Sequence, residues 1–148
     1  MAAFSRILVA IDDSPQAASA LDLALDLGKA VSASIVLVHA IDPAAIASTA
    51  NDAGAASVME IELDELEASG KELLEATTAR VRAAGLQVDA TLRDGVPSAV
   101  ILDTAKRSDC DLIVMGTHGR HGVARVFLGS CAEAVLREST VPVLVKRS

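Results

Sequence analysis

Aromatic side chains are nearly absent from this chain of 148 residues, which has no Trp, no Tyr and only 2 Phe. A core must therefore be assembled from Ala, Val, Leu and Ile, and the aromatic platforms on which unpaired bases stack are excluded. Positive charge is scarce as well: 13 Lys and Arg stand against 20 Asp and Glu, for a formal net charge of −7. A duplex-binding protein needs a basic face to displace counterions, and no Lys/Arg cluster supplies one, so nucleic acid is not expected as a partner. Cysteine is limited to Cys110 and Cys131. Neither lies in a CxxC pair nor near paired His ligands, so the pattern gives no metal site and no redox motif, only two reduced thiols. Long apolar runs are missing too, since none reaches the roughly 18 residues of a membrane helix. Arg6 interrupts the first apolar stretch and Asp12-Asp13 end it, which is not a secretory-leader pattern. These absences together predict a cytoplasmic protein without membrane insertion.

Apolar residues nevertheless make up 51% of the chain, enough for one ordinary domain with its own core. No internal repeat or linker divides it, so one domain over 1–148 is expected. Five short apolar runs stand out: Ile7 to Ile11, Ile35 to Ile41, Val88 to Leu92, Leu112 to Met115 and Val141 to Val145. The first, second and fourth are nearly continuous, as strands are when helices cover both faces of a parallel sheet. The third alternates through Asp89 and Thr91 and reads as an edge strand. The fifth holds Pro142, which lacks a ladder donor and suits an edge or a strand start.

Helical patterns fill the intervals. Ser14-Pro15 offers an N-cap followed by Pro at the first helical position, and Ala17, Leu21, Ala24 and Leu25 then form an apolar face. A second helix is expected from about Ser57 to Ala84, acidic at its start and carrying Arg80 and Arg82 near its end, with Gly85 as its stop. A third should run from Pro97 to about Arg107, and a fourth from Gly129-Ser130 to near Glu138. The stretch from Asp42 to Ala56, rich in Ala and Ser, reads as a mobile loop. Strand and helix thus alternate, which predicts an α/β doubly wound parallel sheet with helices on both faces. Ligands of such sheets sit beyond the carboxyl ends of the strands, so the residues to weigh are Asp12-Asp13, Ala40 to Asp42, Arg93 to Gly95 and Gly116 onward.

The last group is the most informative. Gly116-Thr117-His118-Gly119-Arg120-His121-Gly122 follows the fourth strand, and the next helix opens at Gly129-Ser130. Glycine allows a ligand to approach the backbone closely, and amides at a helix N-terminus attract anions. Ser130 can donate a hydroxyl to a phosphate oxygen, while Arg120 and Arg125 can neutralise charge. The spacing is neither that of a P-loop nor that of the dinucleotide fingerprint. Asp12, at the end of the first strand, can accept from ribose hydroxyls; it or Asp13 can instead cap the following helix, with capping favoured for Asp13. His39, inside an apolar strand, reads as a satisfied core histidine. His118 and His121 are explained equally by phosphate contact and by loop solvation.

These residues resemble the universal stress protein family. Gly116-x2-Gly119-x9-Gly129-Ser130 is similar to its ATP-binding motif. Asp111 to Met115 and Pro142 to Val145 resemble its fourth and fifth strands, and Ile7 to Asp12 with Ser14, and His39 to Asp42, resemble its opening and the end of its second strand. The resemblance covers the whole chain. It implies a sheet order 3-2-1-4-5, a homodimer joined through the fifth strands, and ATP, with or without Mg2+, in a cleft at the carboxyl end. Carried over residue by residue, it implies a nucleotide-binding set of Ile11, Asp12, Ala40, Met115, Gly116, Gly119, Arg120, Gly129, Ser130 and Cys131. Asp12 would hold ribose, Ala40 would line the adenine site, and Gly119, Gly129, Ser130 and Cys131 would hold phosphates. Ala40 and Cys131 stand where the family often has Val. The function implied is a nucleotide-dependent stress or energy-state regulator that acts through a protein partner. Two other readings are open from the residues alone: a slow ATP hydrolase, for which no general base can be assigned, and a phospho-receiver built on Asp12-Asp13, which leaves the glycine loop unexplained.

Overall fold

The structure, a computed structural model, describes residues 3–44, 55–117 and 128–147. Its elements in chain order are β1 (Arg6–Ala10), α1 (Pro15–Val31), β2 (Ser34–Ile41), α2 (Ala55–Ala83), β3 (Val88–Asp94), α3 (Pro97–Arg107), β4 (Leu112–Gly116), α4 (Ser130–Glu138) and β5 (Val143–Lys146). The strands form one 5-stranded sheet in the order β3-β2-β1-β4-β5. Every pairing is parallel, with Leu8 level with Val36 on one side and with Ile113 on the other.

The continuous apolar runs are explained by coverage on both faces. Ile7, Leu8 and Val9 are each 0% exposed, although successive side chains of a strand point opposite ways. Ile7 and Val9 join Leu21, Leu25, Leu74 and Val81 beneath α1 and α2. Leu8 joins Val100, Ile101, Ala132 and Val135 beneath α3 and α4. A one-residue slip of β1 would exchange these two sets between layers of different shape, so both layers specify the register.

Charge closes the amino-terminal end of the sheet. The Arg6 guanidinium reaches from β1 to Asp89 of β3 at 2.7 Å, to Ser34 Oγ at 3.3 Å and to Ser108 O at 2.6 Å. The Asp111 carboxylate accepts from the Ser5 and Arg6 amides and from Ser5 Oγ, at 2.9–3.2 Å. Partial burial opposes ionisation of Asp111, but these donors outweigh it and hold the carboxyl below its ordinary value.

Some boundaries differ from expectation. β1 ends at Ala10, before Ile11, whose N–H still bonds to Val38 O at 2.9 Å. β3 continues past Leu92 to Asp94; the charge of Arg93 is accommodated by Asp103 at 2.7 Å and Thr104 Oγ1 at 3.0 Å. α2 begins at Ala55, so the expected loop of 42–56 loses its last two residues to helix, while its span 45–54 lies outside the described residues. β5 begins at Val143, after Pro142, whose carbonyl accepts from Ile113 N–H at 3.0 Å. Gly85 does terminate α2, at φ +83, with its N–H on Arg82 O at 2.9 Å.

Candidate functional site

β1 has β2 on one side and β4 on the other; the helix that follows β1, α1, lies on one face of the sheet, and the helix that follows β4, α4, lies on the other. The carboxyl ends of β1 and β4 are therefore the switch point of the sheet, where such folds have a crevice. The residues that follow both strands build the site.

From β1 the chain continues through Asp12, which is half-buried. Its Oδ1 accepts the Ser14 N–H at 2.8 Å, and Ser14 Oγ accepts the Ala17 N–H at 3.1 Å. This pair caps α1. Asp12 takes part in the cap as an Asx turn, accepting from the amide two positions on. The same bond orients the Asp12 carboxylate just past the carboxyl end of β1.

From β4 the chain reaches Gly116, where α1 comes very close. A Cβ at this position would lie 2.9 Å from Gln16 Cβ and 3.1 Å from the Gln16 carbonyl carbon and oxygen. Only glycine lets the first turn of α1 rest on the end of β4. Thr117 N–H then donates to Lys146 O at 3.2 Å, and Thr117 O accepts from Gly129 N–H at 2.8 Å. The bond between Gly129 and Thr117 brings the start of α4 to the end of β4. Gly119, Arg120, His118, His121 and Arg125 lie outside the described residues.

Gly129 is the N-cap of α4, and no side chain caps this helix among the described residues. Glu133 N–H is bonded to Gly129 O at 3.0 Å, so the amides of Ser130, Cys131 and Ala132 are the N-terminal donors that a helix leaves for an outside acceptor. Glu133, the acidic residue of this turn, is exposed and lies 3.8 Å from Arg137. Cys131 is half-buried; burial first, and then the nearby Asp12 carboxylate, push its thiol up to about 11. Asp12 follows β1, and the start of α4 is bonded to the end of the neighbouring β4, so both lie at the same end of the sheet.

The structure thus gathers Asp12, Gly116, Gly129, Ser130 and Cys131 at one end of the sheet. Met115, Ala40 and Cys131 belong to one apolar cluster under α3 and α4 and offer a hydrophobic wall there. Ile11 is different. Its side chain is buried in the opposite layer, its N–H is on Val38 O at 2.9 Å, and its carbonyl faces His39 Nδ1 at 2.7 Å. It positions Asp12 from behind. His39 is indeed satisfied, as its sequence context predicted. Gln16 and Thr117 were missed. Gln16 carries no local signal, because its role appears only when α1 meets β4, and Thr117 occupies a spacer position of the glycine motif.

Among the described residues, no group of three His, Cys, Asp or Glu could hold a metal ion, and no helix is long and apolar enough to cross a membrane. A depression of about 450 Å³ lies at the amino ends of the strands, lined by Arg6, Ser34, Arg82 and Asp89 among others. It lies at the opposite end of the strands from Asp12 and Gly116, its Arg6 is already engaged, and none of its lining residues begins a helix. The carboxyl end is therefore the candidate.

Residues 3–147 match the model of the universal stress protein family. The chain belongs to the universal stress protein family. This universal stress protein is 34% identical to universal stress protein YxiE of Bacillus subtilis over 148 residues, covering 97% of this chain and 99% of that one. Its fold is similar to that of the solved protein MJ0577, at 26% identity and a TM-score of 0.84, covering 97% of this chain and 96% of the other. Similar too is universal stress protein UspA from Lactobacillus plantarum, at 26% identity and a TM-score of 0.83, covering 97% of each.

Proposed function

We propose that this universal stress protein binds an adenine nucleotide, with ATP as the leading candidate, in the crevice between the ends of β1 and β4. The observation that carries the reading is the N-terminus of α4, with no side-chain cap among the described residues, at the same end of the sheet as a half-buried Asp12. Every group that a nucleotide requires then has a counterpart. The amides of Ser130 and Cys131 and the Ser130 hydroxyl suit phosphate oxygens, and the dipole of α4 adds to their pull. Asp12 can accept from ribose hydroxyls through its carboxylate, already oriented by Ser14. Ala40 and Met115 supply an apolar surface for the base. Gly119 and Arg120 complete the phosphate contacts by resemblance to the family motif. Mg2+ would enter with the triphosphate, which brings its own oxygen ligands.

Binding with regulation is favoured over turnover, because among the described residues no side chain is assigned as a general base for an attacking water. We further propose a cytoplasmic homodimer joined through β5. Leu144 on this edge strand is 37% exposed, and Leu128 and Leu136 on the adjoining segment are 43% and 41% exposed. An apolar patch beside an open strand edge invites self-pairing. Nucleotide occupancy at α4 would then be read by a protein partner at a surface next to the dimer seam.

Two proteins of this fold, at 24% and 23% identity, were solved in complex with cAMP and with dAMP; monophosphates therefore belong in the test. Intact-protein native mass spectrometry of freshly purified material reports dimer mass and retained nucleotide together. A dimer carrying an adenylate supports the reading; a monomer that takes up no adenylate on addition removes it. A steady-state phosphate-release assay with Mg2+ separates binding from hydrolysis.

A further inference from the structure

We propose that His39 is the positioning residue of the Asp12 carboxylate, acting through the carbonyl of Ile11. Its geometry stands on the ligand-free fold, and its effect on affinity rests on the nucleotide reading above. The ladder between β1 and β2 closes at Ala10 and Val38, with one further bond from Ile11 N–H to Val38 O at 2.9 Å. The next peptide must leave the sheet and turn into α1. Its oxygen, Ile11 O, meets not a strand amide but the imidazole of His39, with Nδ1 at 2.7 Å. A carbonyl can only accept, so Nδ1 carries the proton and in the neutral ring Nε2 carries none.

The ring itself is fixed from the other side. It lies under α2 at Gly70, where a Cβ would come within 3.0 Å of His39 Cδ2, 3.5 Å of Nε2 and 2.9 Å of Leu92 Cδ1. A buried glycine in the middle of a 29-residue helix is costly for the helix, and the imidazole beneath it explains the position. The imidazole thus cannot swing away, and it holds the oxygen of the peptide that joins Ile11 to Asp12. That peptide plane sets the direction in which the Asp12 side chain leaves the backbone, and Ser14 N–H at 2.8 Å completes the setting. A chain of contacts therefore runs from Gly70 through His39 and Ile11 to Asp12 and Ser14, linking the α2 layer to the mouth of the crevice.

The test compares His39→Leu, which fills the space without a donor, with His39→Asn, whose amide nitrogen can occupy the place of Nδ1. The first readout needs no variant: the ¹⁵N spectrum of the parent near pH 8 should show His39 protonated at Nδ1 and bare at Nε2, and the opposite tautomer overturns the proposal. The second is the Ser14 amide resonance of the ligand-free protein, which reports its bond to Asp12. It should move in His39→Leu and stay in His39→Asn; equal movement in both overturns the proposal. The third is ATP affinity by calorimetry, expected to fall about 10-fold in His39→Leu and to stay within about 3-fold in His39→Asn. Equal losses in both would mean that His39 serves packing alone. If the parent binds no adenylate, the nucleotide reading fails by itself, and the two spectroscopic readouts still decide the role of His39.

Discussion

Substituting Gly116 by alanine tests the site's construction with a single added methyl. The new Cβ would lie 2.9 Å from Gln16 Cβ and 3.1 Å from the Gln16 carbonyl carbon and oxygen. Two of these three neighbours are main-chain atoms of the first turn of α1, and no rotamer change moves them. Either α1 lifts from β4 or the end of β4 shifts, and overpacking of this kind costs about 1–3 kcal/mol. For a chain of this size each kcal/mol moves the melting temperature by roughly 2–4 °C, so a fall of between about 2 and 12 °C is expected. Adenylate affinity should fall as well, because the displaced turn carries Thr117 and, through its bond to Gly129, the start of α4. Gly116→Val should be worse on both counts. Gln16→Ala should rescue neither, since it keeps the Cβ and the main chain that cause the conflict. Differential scanning calorimetry and titration calorimetry read the two effects. A Gly116→Ala protein that melts and binds as the parent does would refute the claim that α1 rests on this glycine.

Other consequences are equally direct. Ser14→Ala removes the side-chain cap of α1 and should destabilise by about 1 kcal/mol, read as a lower urea midpoint at unchanged slope. The Asp111 carboxyl is held below its ordinary 3.8. A lowered folded value means that its contribution is full above that value and is lost as pH falls through the lower one. The gap in melting temperature between the parent and Asp111→Ala should therefore be constant near neutrality and close below about pH 3.8. Cys131 should resist alkylation near pH 7, because burial and Asp12 push its thiol up to about 11. Asp12→Asn removes the second of these causes, so Cys131 should react faster in that variant, as mass measurement of the labelled peptide can show. An unchanged rate would contradict the placement of Asp12 beside α4.

Much of the architecture was legible because its physics is local. Ile7 to Val9 and Ile113 to Val114 are buried on both sides, and only uninterrupted apolar residues satisfy that. Pro15, Pro97 and Gly85 mark helix ends through their own backbone limits. The glycines at 116 and 129 were legible as phosphate-binding candidates by pattern. The strand order was implied by family resemblance, since alternation alone leaves several windings open. What escaped were relations between elements distant in sequence. Nothing near Asp12 says that it, and not Asp13, will accept the Ser14 amide; the turn geometry decides. The extension of β3 through Arg93 depends on Asp103 one helix later. The reason for glycine at 116 lies in Gln16, and the reason for glycine at 70 lies in His39.

The most direct test is titration calorimetry of nucleotide-stripped protein with ATP in the presence of Mg2+, run in parallel on Asp12→Asn and Ser130→Ala. Saturable binding by the parent, weakened in both variants while their melting temperatures stay near that of the parent, is the predicted result. Absence of heat with ATP, ADP, AMP and cAMP at millimolar concentration, or parental affinity in both variants, would contradict the assignment of this crevice to a nucleotide.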